Sequence, residues 1–299
     1  MDIDQELGRE LRAGIRKNEP MSLHTSWKVG GPADYFLAPA DRFEIAKIVC
    51  YSREHELPLF VFGNGSNLLV RDGGIRGLVM QIGPPFHYIR WEDSGLVAGS
   101  GTPMPYLAQT ASRKGWAGLE FAGGIPGTLG GALIMNAGAF GKYTGDLVRA
   151  ITVVTGEAEI CRLEREQLVF GYRHSNLAGA GIVVEALLQL EKGDPAELER
   201  KVGIFLAERR RRHPQLPSAG SVFRNMPDQP AGRLIEAAGG KGLRSGCAQV
   251  SEQHANFIVN LGGATAADIL TLIDRVQRLV KNRFNIELHP EVKVVGEEK

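Results

Sequence analysis

A mixed fold of helices and strands, α/β or α+β, is predicted by three features of the sequence. Helical apolar stripes alternate with short apolar strands, glycines gather in short runs between the patterned segments, and 43% hydrophobic side chains over 299 residues suffice for two or three domains with real cores. Alternation of both element types argues against a helix bundle or a sandwich.

The elements follow in order. Asp41 with Glu44 three residues on forms a capping signature, and Phe43, Ala46, Ile48 and Val49 give a helical stripe that ends before Pro58. A short strand, LFVF, runs straight into GNGSNLLV, whose Leu68, Leu69 and Val70 read as strand again. Residues 76–100 alternate as strands with turns, and Thr102 with Pro103 opens a helix that ends near Gly115. Residues 148–190 read as further strands, interrupted by the loop FGYRHSNL. Asp194, Pro195 and Glu197 start a helix with Leu198, Val202, Phe205 and Leu206 at i, i+4, i+7 and i+8, closing on Arg209–Arg212 and Pro214. A domain boundary is expected at about this helix, because HPQLPSAG after it is rich in proline and small residues. The last helix starts at Thr265 and lines up Ile269, Leu272, Ile273, Val276, Leu279 and Val280, with Lys281 and Arg283 suiting the negative end of its dipole.

Charge and cysteine usage narrow the function classes. A formal charge of +1 shows no broad basic excess, so no nucleic-acid partner is expected. The opening MDIDQELGRELRAGIRKNEP lacks the apolar core of a signal peptide, and no window approaches 18 uninterrupted apolar residues. A cytoplasmic protein without a membrane partner is expected. Cys50, Cys161 and Cys247 lie far apart and read as reduced packing residues, and the seven histidines form no H-x-x-x-H pair, so no metal is assigned.

Two glycine loops carry the strongest signal. In VFGNGSNLLV, the amides of Gly63, Asn64, Gly65, Ser66 and Asn67 suit a concave nest for an anion such as pyrophosphate. The pattern is neither a P-loop nor a G-x-G-x-x-G that opens a helix, and a sharp ligand-free turn is the plain alternative. The second, FAGGIPGTLGGALIMNAGAFG, holds seven glycines in 21 positions, at 123, 124, 127, 130, 131, 138 and 141. The residues between them are apolar, unlike a flexible linker, so backbone lying against a large flat ligand is the expectation. Together the loops argue for a dinucleotide held mainly by main-chain amides.

These segments resemble the UDP-N-acetylenolpyruvoylglucosamine reductase (MurB) family nearly end to end. The resemblance runs through TSWKVGGPADYF, GNGSNLLV, GLEFAGGIPGTLGGALIMNAGAFG, GYRHS, PSAGSVFRN, AGRLIEAAGGKGLRSGCAQVSEQHANFIVN and HPEVKVVG. It implies an α+β protein, with an FAD-binding region of the vanillyl-alcohol-oxidase/PCMH type in two subdomains (1–75 and 76–200) and a C-terminal α/β substrate domain (201–299). It also implies FAD as cofactor, NADPH as reductant, and UDP-N-acetylglucosamine enolpyruvate as substrate, reduced to UDP-N-acetylmuramate in peptidoglycan precursor synthesis. Carried over residue by residue, the catalytic trio falls on Arg173, Ser221 and Glu291. The FAD contacts fall on Gly63, Asn64, Gly65, Ser66, Asn67 and Leu68, and on Gly124, Ile125, Pro126, Gly127, Thr128, Gly130, Gly131, Asn136, Ala137 and Gly138. Only 48 positions separate Arg173 from Ser221, as in the family's shorter type, so no tyrosine lid is assigned. Gly240 and Cys247 depart from the usual pattern and leave the substrate contacts less defined.

The implied reaction adds hydride to the terminal carbon of an enolpyruvyl ether and leaves negative charge on its neighbour. A guanidinium at Arg173 suits that charge, gripping the carboxylate through two donors. Glu291, if ionised, is a poor neighbour for an enolate; it is expected to be kept protonated by burial, or to orient a water or another donor. Ser221 lacks the second glycine of G-x-S-x-G and so reads as a proton donor rather than a hydrolase nucleophile. The nine residues PSAGSVFRN alone favour a turn or capping serine; the whole-chain resemblance reverses that order. Asn225 and Lys241 are candidate substrate ligands. Arg209–Arg212 could hold a diphosphate, but read first as a solvated basic helix end, His254 reads as a structural histidine, and Glu236 stays open. Two other readings stand beside the reductase: an FAD oxidase or dehydrogenase of small hydroxy acids, and a non-catalytic nucleotide-binding protein.

Overall fold

The computed structural model describes residues 3–226 and 228–299. The chain divides into two compact units, one of Met1–Arg16, Tyr35–Asn64 and Gly77–Arg209, the other of Lys17–Asp34, Gly65–Arg76 and Arg210–Lys299.

In the first unit, the helical turn α1 (Ile3–Glu6) precedes α2 (Arg42–Glu54), which starts as the sequence predicts: Asp41 Oδ1 accepts the N–H of Phe43 and Glu44 at 2.9 and 3.0 Å. The buried stripe is offset from the predicted one. Ile45, Ile48 and Val49 face the core while Phe43 is 58% exposed. Glu44 is buried at the helix start because its carboxylate accepts the N–H groups of Ala40 and Arg12 at 2.8 and 3.2 Å. Strand Leu59–Phe62 then pairs in parallel with Ile75–Gln81, Leu59 opposite Leu78.

A five-stranded antiparallel sheet follows, in the order Ile160–Glu164, Val148–Val154, Ile182–Gln189, Gly95–Gly99, Ile89–Glu92. Gly95–Gly99 is buried throughout, so it lacks the alternation expected for residues 76–100. Leu96, Ala98, Ile151 and Leu188 share a core with α3 (Met104–Arg113) and α4 (Leu129–Ile134), while Val154 and Val184 pack with the α2 core. Pro103, not Thr102, stands at the N-cap of α3, without a side-chain cap; the Thr102 hydroxyl instead donates to Tyr88 O at 3.2 Å. The loop FGYRHSNL is itself ordered, as a hairpin of Phe170–Gly171 with His174–Ser175 followed by α5 (Leu177–Ala180). Helix α6 (Pro195–Arg212) begins where Asp194 Oδ2 accepts the Glu197 N–H at 2.9 Å.

The second unit holds α7 (Ala231–Ala237), α8 (Ala266–Phe284) and an antiparallel sheet ordered Arg244–Ser245, Ala248–Val250, Ile258–Asn260. Leu68–Val70 pairs in parallel with Lys293–Val295, Leu68 opposite Lys293. Helix α8 matches its predicted stripe: Ile269, Leu272, Ile273, Val276 and Val280 are buried, each contributing ~1.5–3 kcal/mol relative to exposure. Its first turn is saturated, with Thr265 and Asp268 exchanging cap bonds and Asp72 accepting the N–H of Ala266 and Ala267 at 2.9 and 3.0 Å. Trp27, fully buried, donates from Nε1 to Ile258 O at 2.7 Å. Gly240 is required by packing, since a Cβ there would stand 2.5 Å from Ile235 Cγ2. Cys247 is exposed and not the packing residue expected.

Candidate active site

The second unit brings two of the expected catalytic residues onto adjacent strands of chain. The segment 222–224 runs antiparallel to 289–291 through a bridge between Phe223 and Pro290. Glu291 donates its N–H to Val222 O at 2.7 Å and Arg224 donates to His289 O at 2.9 Å. Ser221 and Glu291 therefore flank the same short ladder, both half-buried. Gly220, just before the serine, has φ +77 with open space around a Cβ, so backbone conformation rather than crowding calls for glycine there.

Asn256 fixes this ladder from the other side. Its backbone O accepts Val222 N–H at 2.8 Å, its Oδ1 accepts Phe223 N–H at 2.9 Å, and its Nδ2 donates to Phe223 O at 2.9 Å. The residue is 1% exposed, so the amide is committed to holding the serine segment. The sequence reading missed Asn256; an amide just ahead of the apolar run FIV in EQHANFIVN was the available signal. His254 supports it, accepting Asn256 N–H at Nδ1 (3.2 Å) and packing on Phe257 at 4.9 Å between centroids. Burial holds the His254 ring below its ordinary pKa.

Glu291 is tied to the first glycine loop within the same unit. Asn67 Nδ2 donates to Glu291 O at 3.1 Å and Asn67 O accepts Lys293 N–H at 3.0 Å. The first loop spans the division of the chain, with Gly63 and Asn64 in the first unit and Gly65, Ser66, Asn67 and Leu68 in the second. Gly65 has φ +58, and a Cβ there would stand 2.3 Å from His24 O. Asn225 and Lys241 have local partners: Asn225 Oδ1 accepts Ala231 N–H at 3.0 Å at the start of α7, and Lys241 donates to Glu236 at 2.7 Å.

Arg173 sits in the first unit at the turn of the hairpin, with φ +55. Both sides of that hairpin are fastened to the end of α4 and the chain just after it. Asn136 Nδ2 donates to Gly171 O at 3.0 Å, its Oδ1 accepts Gly145 N–H at 2.9 Å, and Ser175 Oγ donates to Ile134 O at 2.9 Å. Asn136 thereby links the second glycine segment to the guanidinium-bearing turn, and its side-chain amide is used in doing so.

The two glycine loops meet within the first unit, where a Cβ on Gly63 would stand 2.4 Å from Thr128 Oγ1. Several glycines answer to the protein's own packing: Gly130 faces Ser100 Cβ at 3.0 Å, Gly138 faces Tyr143 at 2.5 Å and Gly124 faces Arg209 Cδ at 2.7 Å, each measured from a would-be Cβ. The N–H of Gly130 is taken by Ser100 O at 2.8 Å, and Ile125 is a core residue. Gly131 differs. It is exposed, and a Cβ there would meet nothing nearer than Thr128 Oγ1 at 3.8 Å, so its missing side chain leaves bare backbone toward the outside. Residues 121–141 and 63–70 carry no charged side chain that would repel a diphosphate. The bare backbone at Gly131 and the lack of carboxylates in both segments fit FAD. Among the described residues, no cluster of histidine, cysteine or carboxylate suits a metal ion, and no helix is long and apolar enough to cross a membrane.

Comparison with known proteins agrees with this geometry. Residues 33–164 match the FAD binding domain family, and residues 212–295 match the family of the UDP-N-acetylenolpyruvoylglucosamine reductase C-terminal domain. The chain is 50% identical to UDP-N-acetylenolpyruvoylglucosamine reductase of Heliobacterium modesticaldum, over 98% of this chain and 94% of the relative. It is 46% identical to the protein of the same name from Desulforamulus reducens, over 98% and 97% of the two chains. A crystal structure of UDP-N-acetylenolpyruvylglucosamine reductase from Thermus caldophilus superposes with a TM-score of 0.81 at 37% identity, covering 94% of this chain and 99% of that one.

Proposed function

The chain belongs to the UDP-N-acetylenolpyruvoylglucosamine reductase family, and from that premise we propose that it reduces UDP-N-acetylglucosamine enolpyruvate to UDP-N-acetylmuramate with NADPH and FAD. Gly63–Leu68 and Gly124–Gly138 would hold the cofactor, chiefly by backbone. Bound FAD supplies the transfer of hydride from NADPH to a carbon acceptor. The rest of the chemistry falls to the chain. Arg173 binds the enolpyruvyl carboxylate in a two-pronged grip that tightens as negative charge spreads into it. Ser221 delivers its hydroxyl proton to the carbon beside the carboxylate, a short transfer to a strongly basic centre. Glu291 orients a proton donor.

The observation that supports this reading is the backbone ladder that joins Glu291 to Val222, the residue after Ser221, on two segments of matching family motifs. In the same proposal, residues 1–75 and 76–200 form the two FAD subdomains and 201–299 the substrate domain, Asn225 and Lys241 contact substrate, and the protein works in the cytoplasm in cell-wall precursor synthesis. The test is anaerobic spectroscopy of purified protein. A yellow preparation bleached by NADPH and recoloured by UDP-N-acetylglucosamine enolpyruvate is expected; a flavin that NADPH bleaches but the enolpyruvyl ether cannot reoxidise would sink the proposal.

A further inference from the structure

Helix α6 lays one face along the glycine-rich segment at three points. Val202 Cγ1 stands 2.8 Å from a would-be Cβ on Gly123, the Phe205 ring stacks on Phe140 with centroids 4.1 Å apart, and Arg209 Cδ stands 2.7 Å from a would-be Cβ on Gly124. Residues 202, 205 and 209 fall at i, i+3 and i+7, so the apolar stripe begun at Leu198 ends in a cation aimed the same way. Arg210, Arg211 and Arg212 are exposed, as a solvated helix end requires, but Arg209 is half-buried. The helix end is therefore not uniformly solvated.

The surroundings of Arg209 hold no compensation. No hydrogen bond or ion pair engages its guanidinium among the described residues. Burial, and then the like charge of Arg173, weaken its hold on a proton. A partly desolvated cation without a counter-charge is costly to fold around. The stem lies flat on backbone only because Gly124 has no side chain.

We propose that Arg209 is an oxyanion-binding residue, taking a phosphate or carboxylate group of a ligand that lies on the Gly123–Gly124 backbone. A planar guanidinium matches either group through two parallel donors. The identity of the ligand rests on the reading above, which supplies two sources: the diphosphate of the flavin dinucleotide and the carboxylate of the enolpyruvyl substrate.

Arg209→Gln and Arg209→Met are compared with Arg210→Gln, one exposed position further on. Three quantities are measured: flavin bound per protein after gel filtration, the substrate dissociation constant from the change in flavin absorbance without NADPH, and the rise in melting temperature that inorganic diphosphate gives flavin-stripped protein. If the source is the cofactor, Arg209→Gln loses flavin and its response to diphosphate. If it is the substrate, flavin content holds and the substrate dissociation constant rises ~10- to 100-fold. Arg210→Gln leaves all three unchanged. Wild-type values in every readout for Arg209→Gln, or a lower melting temperature with both affinities intact, overturn the inference in favour of packing alone. Should the Gln variant fail to fold, Arg209→Met keeps the stem on Gly124 without the charge and decides by the same outcomes. A wild-type protein that cannot be loaded with FAD would overturn the flavin reading, while the diphosphate titration would still decide the role of Arg209.

Discussion

The backbone N–H of Glu291 donates to the carbonyl of Val222 at 2.7 Å, so the residue after Ser221 and the candidate carboxylate are joined by one short hydrogen bond. Displacing either segment moves the other. Ser221→Ala leaves this backbone bond in place and is expected to leave reduction of the flavin by NADPH nearly intact, while slowing its reoxidation by the enolpyruvyl substrate ~10²-fold or more. Stopped-flow measurement of the two half-reactions separates them, and equal slowing of both counts against the proton-donor role.

Asn256→Ala is expected to cost about 2–4 kcal/mol of stability, because it strands the buried N–H and C=O of Phe223 that the side chain now satisfies at 2.9 Å each. The reoxidation step is expected to slow along with it, since the serine segment loses its clamp. Urea unfolding gives the first quantity and stopped-flow the second; a variant of unchanged stability would refute the clamp.

Gly63→Ala is expected to weaken flavin retention without unfolding the protein, because its methyl group would stand 2.4 Å from Thr128 Oγ1 and push the two glycine loops apart. Adding Thr128→Ala removes that oxygen and is expected to restore part of the flavin content. Flavin-to-protein absorbance ratios check both, and a double variant no better than the single would show that the strain lies elsewhere.

Acid is expected to loosen the Ser221 segment through His254. Burial, chiefly, and the nearby Lys241 and Arg212 charges depress its pKa below the ordinary value, against the opposing pull of Glu236 and its own backbone hydrogen bond. A folded-state pKa lowered in this way means that the unfolded chain takes up a proton first. The stabilisation is complete above the unfolded value of about 6.5 and is lost as pH falls through the folded one. His254→Asn, which keeps an acceptor near the place of Nδ1 and does not titrate, is expected to flatten the loss of melting temperature below that pH. An unchanged slope would assign the acid sensitivity to other groups.

Much of the architecture was legible because it is local. Helix α8 announces itself by Thr265 and Asp268 at one end and an unbroken apolar stripe between, and α2 by Asp41; cap and stripe lie within a few residues of the element they define. Phe43 was misplaced because a large apolar residue near a helix start is counted into the stripe before the true buried face, set by Ile45 and Ile48, is known. Thr102 with Pro103 marked the start of α3, but tertiary structure gave the Thr102 hydroxyl a carbonyl outside that helix. The glycine runs were legible as close approaches of backbone, but not what is approached: Gly124 meets Arg209, and Gly63 meets Thr128. The anchoring of Arg173 through Asn136 and Ser175, and of Ser221 through Asn256, joins residues 33 to 41 positions apart, which no periodicity encodes. Arg209 was grouped with its solvated neighbours, although it stands at the next position of the stripe running through Leu198, Val202 and Phe205 and is half-buried.

The parallel pairing of Leu68–Val70 with Lys293–Val295 has a bearing on biosynthesis. Asn67 and Glu291, at the edge of this pair, are 224 positions apart, so the loop made early in translation waits for nearly the whole chain before its hydrogen-bonding partner leaves the ribosome. A nascent protein released short of residue 293 would hold every strand of the five-stranded sheet while Leu68–Val70, in the other unit, still lacked its partner, giving proteases a means to tell incomplete copies from finished ones.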